Sequence, residues 1–265
     1  MRPYPVVLSI AGSDCSGGAG IQADIKTISA LQGYAASVIT AVTIQNTLGV
    51  QGVCPIPPET VKGQLTAVMD DLQPDAVKIG MIPDVATVRV IARCLATYRP
   101  RHVVYDTVMV SSSGRALMSP EAIEEIRQTL FPLTTLITPN LNEVSTLTGR
   151  QLRSPEEMAQ EASRLAGQYG TSVLIKGGHL EGDTMYDVLH TLDGQTHTYE
   201  EKKIESPNLH GTGCTLSSAI ATHLAHGLPM DEAVRRSKAY ISLAIAAGRG
   251  LGIGHGNGPL WHFVG

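Results

Sequence analysis

Residues 6–31 read VVLSIAGSDCSGGAGIQADIKTISAL, and the order of residue types in this stretch decides the fold class. Val6–Ile10 is a short β-branched run of the kind that forms a buried strand. Ala11–Gly20 is rich in glycine and small polar residues and reads as a tight turn. Ala19–Leu31 carries Ile21, Ile25, Ile28 and Leu31 at helical spacing, so strand, glycine-rich turn and helix follow one another directly. That is how an open α/β sheet begins, with a ligand loop at the C-terminal end of its first strand. A glycine turn that serves only close packing is the competing reading. Gly18-Ala19-Gly20-Ile21-Gln22-Ala23 matches the G-x-G-x-x-A dinucleotide fingerprint. The fingerprint also requires a ribose-binding acid about 20 residues later. No Asp or Glu occurs between Ile25 and Pro58, which argues against a nicotinamide cofactor.

Outward from this unit the alternation continues. Ser37–Val42 reads as a second strand, and Thr43–Pro58 as a small flap of short β pieces. Helices are expected at Glu59–Leu72, Val85–Leu95, Pro120–Leu130, from Asn140, and at Pro155–Tyr169. They are interleaved with strands Ala76–Ile79, His102–Tyr105, Thr135–Ile137 and Ser172–Ile175. Residues 184–204 give two or three strands joined at Asp193-Gly194, a hairpin signal. Two helices, 212–226 and 230–247, precede a glycine-rich tail. The expected fold is α/β, one domain over residues 1–265, with a mostly parallel sheet and antiparallel edge strands.

Composition fits this: the 265 residues are 43% hydrophobic and include 27 glycines. A net charge of −4 argues against nucleic acid or a polybasic membrane surface as partner. No long apolar run or secretory leader is visible, so a cytoplasmic location is expected. Cys15, Cys54, Cys94 and Cys214 are scattered without a CxxC pair, which suits free thiols and offers no zinc site.

A second glycine-rich run, His210-Gly211-Thr212-Gly213-Cys214-Thr215, opens a helix on which Leu216, Ala219, Ile220 and Leu224 recur. Its backbone N–H groups suit an anion, and a cysteine in that place is expected to have a lowered pKa; the alternative is a small buried hydrophobe. No G-x-x-x-x-G-K-[ST] occurs, which excludes a P-loop. Asn140-Leu141-Asn142-Glu143 has capping-box spacing, and Glu143 could equally serve Mg²⁺ through water. Lys176 ends a strand before Gly177-Gly178, placed either for solvent or for a phosphate. Asp106 ends another strand, as a turn former or a site carboxylate. His179, His210 and His255 show no metal-ligand spacing and read as structural or surface histidines.

Seven stretches together resemble the ribokinase-like superfamily and, within it, the bacterial hydroxymethylpyrimidine/phosphomethylpyrimidine kinases of thiamine biosynthesis. They are IAGSDCSGGAGIQADIK (10–26), SVITAVTIQN (37–46), KIGM (78–81), DTVMV (106–110), TPNLNE (138–143), IKGGHL (175–180) and HGTGCTL (210–216). They span nearly the whole chain in the family's order. The resemblance implies a three-layer α/β/α fold and ATP- and Mg²⁺-dependent phosphorylation of 4-amino-5-hydroxymethyl-2-methylpyrimidine, then of its monophosphate, by a homodimer. It implies a pyrimidine pocket of Gly12, Ala19, Asp24, Gln45 and Val108. The Gly211-Thr212-Gly213-Cys214 backbone becomes the anion hole, with Cys214 as proton acceptor where other ribokinase-like enzymes carry aspartate. Lys176, Asp106, Asn140 and Thr212 would face ATP or its phosphates, and Glu143 the metal through water. Cys15 departs from the family's usual proline, and 111–115 lacks a lysine often present there, with Arg115 as a substitute. The tail 252–259 resembles the family's segment near the nucleotide. Phosphorylation of pyridoxal, pyridoxine or pyridoxamine on the same fold is the alternative activity.

Overall fold

The computed structural model describes residues 3–109, 118–178 and 182–264. The expected loop contacts of 111–117, Val110 and His179 lie outside these residues. The strands are β1 (Val6–Asp14), β2 (Tyr34–Asn46), β3 (Gly49–Pro55), β4 (Ala76–Ile79), β5 (Val103–Tyr105), β6 (Leu136–Ile137), β7 (Ser172–Lys176), β8 (Thr184–His190) and β9 (Thr196–Lys202). The α-helices are α1 (Gly20–Ala30), α2 (Pro58–Asp71), α3 (Val85–Tyr98), α4 (Pro120–Glu125), α5 (Leu141–Thr148), α6 (Pro155–Tyr169), α7 (Thr212–Ala225) and α8 (Met230–Gly248).

All nine strands join one sheet in the order β3-β2-β1-β4-β5-β6-β7-β8-β9. Strands β2 to β7 in this row are parallel, while β3 at one edge and β8 and β9 at the other are antiparallel. Successive side chains of a strand point to opposite faces, and β1 shows it: Leu8 and Ile10 enter a core with Val61, Leu65, Ile91, Ile126 and Leu165. Val7 enters a second core with Ile28, Ile220, Leu224 and Ile241. Helices therefore cover both faces, giving the expected three layers. The loops that leave β1, β4, β5, β6 and β7 emerge along one edge of the sheet, where an open parallel sheet binds its ligands.

The sequence reading needs correction in several places. β1 runs on to Asp14, because pairing with β2 resumes past an irregularity between Ala11 and Ser13. β2 is thirteen residues long and folds back on β3 as an antiparallel hairpin, which is the expected flap. Ile25 is 38% exposed, so the buried face of α1 is Ile21, Asp24 and Ile28. The stretch 120–130 is α-helical only to Glu125 and then widens to a π turn over Ile126–Leu130. A short 3₁₀ turn, Phe131–Leu133, follows, where Pro132 has no N–H to donate. Cys15 and Cys54 are exposed free thiols.

Candidate active site

The glycine run before α7 is shaped by close approach. Gly211 has φ +89°, and a Cβ there would lie 1.9 Å from the Gly18 carbonyl oxygen. Only glycine meets both demands without strain. The two glycine-rich runs thus touch, although nearly the whole chain separates them. Thr212 opens α7 and donates its N–H to the Leu209 carbonyl at 3.3 Å. A Cβ on Gly213 would stand 3.1 Å from Asp106 Oδ2 and 3.5 Å from Lys176 Nζ, so this charged pair faces the first turn of α7.

Lys176 ends β7 and Asp106 follows β5. Lys176 Nζ donates to Asp106 Oδ1 at 2.9 Å, and Thr138 adds a donor to the same oxygen at 3.3 Å. Asp106 Oδ2 is buried with no hydrogen-bond partner among the described residues. Desolvation works against the Lys176 ammonium, but Asp106 and Glu143 outweigh it and hold its pKa above the usual lysine value. The bridge between Asn140 and Lys176 brings α5 alongside. There the capping box is formed: Asn140 Oδ1 accepts from Glu143 N at 3.0 Å, and Glu143 Oε2 accepts from Asn140 N at 2.8 Å. Glu143 Oε2 also accepts from Thr107 Oγ1 at 2.9 Å. Burial pushes its carboxyl up to about 7, against the pull of Lys176.

Cys214 is half-buried on the first turn of α7, where the backbone of Gly20 at the start of α1 favours its thiolate. The expected lowering of its pKa does not occur. Burial pushes the thiol up to about 11, with Lys78 pulling the other way, because desolvation of a thiolate outweighs the partial charge of a helix end. One turn further along α7, Ser218 Oγ donates to Asp24 Oδ1 at 2.8 Å. Asp24 is fully buried; it also accepts from Ser9 Oγ at 2.5 Å and pairs with Lys78 at 2.7 Å. Expected in the pyrimidine pocket, Asp24 is instead fully buried and already engaged by Ser9, Ser218 and Lys78.

The other residues expected in that pocket lie on β1, at the start of α1, near the tip of β2 and just after β5. Gly12 is buried, and a Cβ there would meet Met81 Cε at 2.7 Å. Ala19 caps α1, and its N–H donates to Asp14 Oδ2 at 2.8 Å. Val108 is half-buried, its N–H bonded to the Asp106 carbonyl. Gln45, half-buried near the tip of β2, stands 3.4 Å from His210 Nε2 through its Nε2. His210, read from sequence as structural, contacts Asp14 Oδ2 at 2.9 Å and belongs to this cluster. Its position directly before a glycine forced to positive φ was the available signal. Lys78 was also missed; a lysine inside the four-residue apolar strand AVKI had to find a buried partner. The tail reaches the turn between β2 and β3, with His255 and Gly256 donating N–H groups to Thr47 Oγ1.

A parallel sheet whose C-terminal edge presents a lysine–carboxylate pair against a helix N-terminus defines a phosphotransferase of ribokinase-like architecture. Comparison with known proteins agrees. Residues 14–261 match the family model for phosphomethylpyrimidine kinase. The chain belongs to the phosphomethylpyrimidine kinase family. It is 49% identical over 260 residues to the hydroxymethylpyrimidine/phosphomethylpyrimidine kinase of Rhizobium meliloti, covering 97% of each chain. It is 47% identical to a bifunctional thiamine biosynthesis protein of Geobacter sulfurreducens, where it covers 99% of this chain but spans 53% of that protein. Among solved structures, phosphomethylpyrimidine kinase of Clostridium difficile superposes with a TM-score of 0.81 at 42% identity, over 91% of this chain and all of that one. Pyridoxal kinase of Staphylococcus aureus in complex with ADP superposes with a TM-score of 0.90 at 32% identity, over 99% of this chain and 94% of that one.

Proposed function

We propose that the chain, as one catalytic domain, transfers the terminal phosphoryl group of ATP to the hydroxymethyl oxygen of 4-amino-5-hydroxymethyl-2-methylpyrimidine. A second transfer to the monophosphate then gives the diphosphate for thiamine biosynthesis. The observation that carries this reading is the Lys176–Asp106 pair set against Gly213 at the start of α7. Phosphoryl transfer is mostly positioning and charge stabilisation. Lys176 offsets the charge of the transferring group, and the N–H groups of the Gly211–Cys214 turn other than that of Thr212, which bonds Leu209, face its oxygens. The substrate hydroxyl oxygen forms the new bond to phosphorus as the bond to ADP breaks, and its proton passes to the thiolate form of Cys214, which has first released its own proton to solvent.

The site suits a divalent cation that keeps most of its water. Asp106 Oδ2 is buried without a partner, and no three His, Cys, Asp or Glu converge as a cage among the described residues. Mg²⁺ binds through one or two carboxylates plus phosphates, so Asp106 and, through water, Glu143 would hold it, with Asn140 keeping Glu143 in place and Thr212 near the phosphates. When bound, Mg²⁺ neutralises phosphate charge. ATP as donor is supported by the S. aureus pyridoxal kinase complex with AMP-PCP. Assembly as a homodimer is supported by the exposed apolar side chains Val42, Ile44 and Leu48 on the β2–β3 hairpin. A cytoplasmic location agrees with the absence, among the described residues, of a helix long and apolar enough to cross a membrane.

The second reading, a pyridoxal kinase, is favoured by the TM-score of 0.90 to the S. aureus enzyme against 0.81 to the Clostridium one. A coupled ADP-release assay with hydroxymethylpyrimidine, its monophosphate and pyridoxal separates the two. Turnover of the monophosphate is expected; turnover of pyridoxal alone would overturn the first reading.

A further inference from the structure

Lys238 and Asp187 form a buried ion pair that takes no part in the chemistry above. Lys238 Nζ on α8 donates to Asp187 Oδ2 on β8 at 2.6 Å, and both residues are buried. Glu201 Oε2 on β9 lies 3.6 Å from the same ammonium and accepts from Ser242 Oγ, one turn further along α8, at 2.9 Å. A buried pair of this kind is seldom a source of stability, since apolar residues of similar volume commonly do as well or better. What apolar residues could not supply is the other hydrogen bond of the carboxylate. Asp187 Oδ1 accepts from the Gly177 N–H at 2.9 Å.

That bond holds the chain immediately after Lys176, which ends β7 and stands opposite Asp187 in the antiparallel pairing of β7 with β8. The N–H of Lys176 donates to the Pro139 carbonyl at 2.8 Å, so the peptide unit before its Cα is tied to the segment between β6 and α5. The N–H of Gly177 ties the peptide unit after that Cα to β8. Two fixed peptide units leave φ and ψ of Lys176 little freedom, and with them the direction in which its side chain leaves the strand. From there Nζ reaches Asp106 Oδ1 at 2.9 Å. Gly177 is itself buried, and a Cβ on it would collide with the Tyr186 carbonyl oxygen and with Met158 Cε. A buried N–H needs a partner. The partner here is charged, which makes the bond stronger than one to a neutral carbonyl.

We propose that Asp187 is a positioning residue for the phosphoryl transfer: by holding the Gly177 N–H, with Lys238 as its counter-ion, it fixes the backbone from which the Lys176 ammonium is aimed at the transferring group. The inference rests on the kinase reading above and deepens it. Lys238 serves only to balance the carboxylate, so both charges can be removed together provided an acceptor for Gly177 remains. Without that acceptor the peptide unit after Lys176 is free to turn, and the ammonium loses its aim. The turn between β1 and α1 lies across β4, β5 and β6 from this point and is not disturbed.

The experiment compares two double variants that lack both charges, Asp187→Asn/Lys238→Met and Asp187→Leu/Lys238→Met. The asparagine oxygen can take the Gly177 N–H, whereas a leucine of similar shape cannot. ADP release gives kcat, calorimetry without ATP gives pyrimidine binding, and thermal melts report folding. The asparagine variant is expected to rescue kcat to within about tenfold of wild type, because the acceptor is kept. The leucine variant is expected to lose about 100-fold in kcat, the order of effect of a group misplaced by about 1 Å, with pyrimidine binding and melting temperature close to those of the asparagine variant. A pair that only stabilises the fold would give the two variants equal kcat, or losses that follow their melting temperatures; either result overturns the proposal. If the leucine variant does not fold, Asp187→Ala/Lys238→Met replaces it with the same expectation. A loss of about 100-fold or more in the folded asparagine variant overturns the proposal by itself. Wild-type ADP release is measured first. Its absence with hydroxymethylpyrimidine, its monophosphate and pyridoxal alike overturns the kinase reading and this inference with it, whereas release by wild type with equal kcat in the two variants overturns this inference alone.

Discussion

Cys214 sits where the first N–H of α1 meets the first turn of α7, yet its thiol is pushed up to about 11 and is protonated at neutral pH. A proton acceptor of that kind works only through its small thiolate fraction, so its contribution must grow with pH. For wild type, log kcat/KM is expected to climb between pH 7 and 9 and to flatten in Cys214→Ala. The variant should lose most turnover while keeping pyrimidine binding by calorimetry. A near-normal rate in Cys214→Ala would remove the thiol from the proton path and leave Lys176 and the turn N–H groups as the source of catalysis. The residues that the sequence announced, Lys176, Asp106 and the 211–214 run, stand at strand ends or helix starts, where position along the chain alone gives them an outlook. Asp24 and Lys78 could not be placed that way. Their pairing joins residues 54 apart, and a carboxylate on a helix face looks solvated until its buried partner is known.

The junction of β1, α1 and α7 depends on two backbones touching, which separates conformational from steric demands on glycine. Gly149 and Gly170 have φ of +73° and +66° with open space around them, whereas Gly211 combines φ +89° with the Gly18 carbonyl 1.9 Å from a Cβ. Gly149→Ala should cost about 1 kcal/mol, the strain of a left-handed alanine. Gly211→Ala should cost at least about 2 kcal/mol more, since overpacking adds to that strain, and should abolish turnover; urea unfolding of the two variants checks the gap. The alternation of strands and helices was legible because β-branched runs and helical periodicity are local. The length of β2 was not: its outer positions Val42 and Ile44 are exposed, so the inside–outside contrast that marks a strand fades along it. The irregular 126–133 segment also gave no local sign. Phe131 there is held between Tyr105 and Tyr169, at centroid distances of 5.9 and 4.9 Å, a packing set by β5 and α6.

For the whole molecule, the buried carboxyl of Glu143 ties stability to pH. Its folded pKa, raised to about 7, means that the folded state holds this proton more tightly than the unfolded chain does. Its stabilising share is full below the ordinary glutamate range and is lost as pH rises through about 7. Without metal or nucleotide, Glu143→Gln should therefore be more stable than wild type at pH 8, by about 3 kcal/mol, and level with or below it at pH 4. Thermal melts at the two pH values measure this, and an advantage for wild type at pH 8 would contradict the assignment. The junction of the two glycine-rich runs has a different dependence, on the order in which the chain is made. Asp14 waits for His210, whose N–H donates to the Gly258 carbonyl and whose backbone bridges to Pro259. A nascent chain on the ribosome can lay down β1, β2 and most of the sheet long before residue 259 has been added. Until then the turn at 14–20, already closed on Asp14 by Ser16, Gly18 and Ala19, lacks its contacts with His210 and Gly211, so this junction is completed late in synthesis. A stalled or trimmed product would share the core of the protein while lacking this junction.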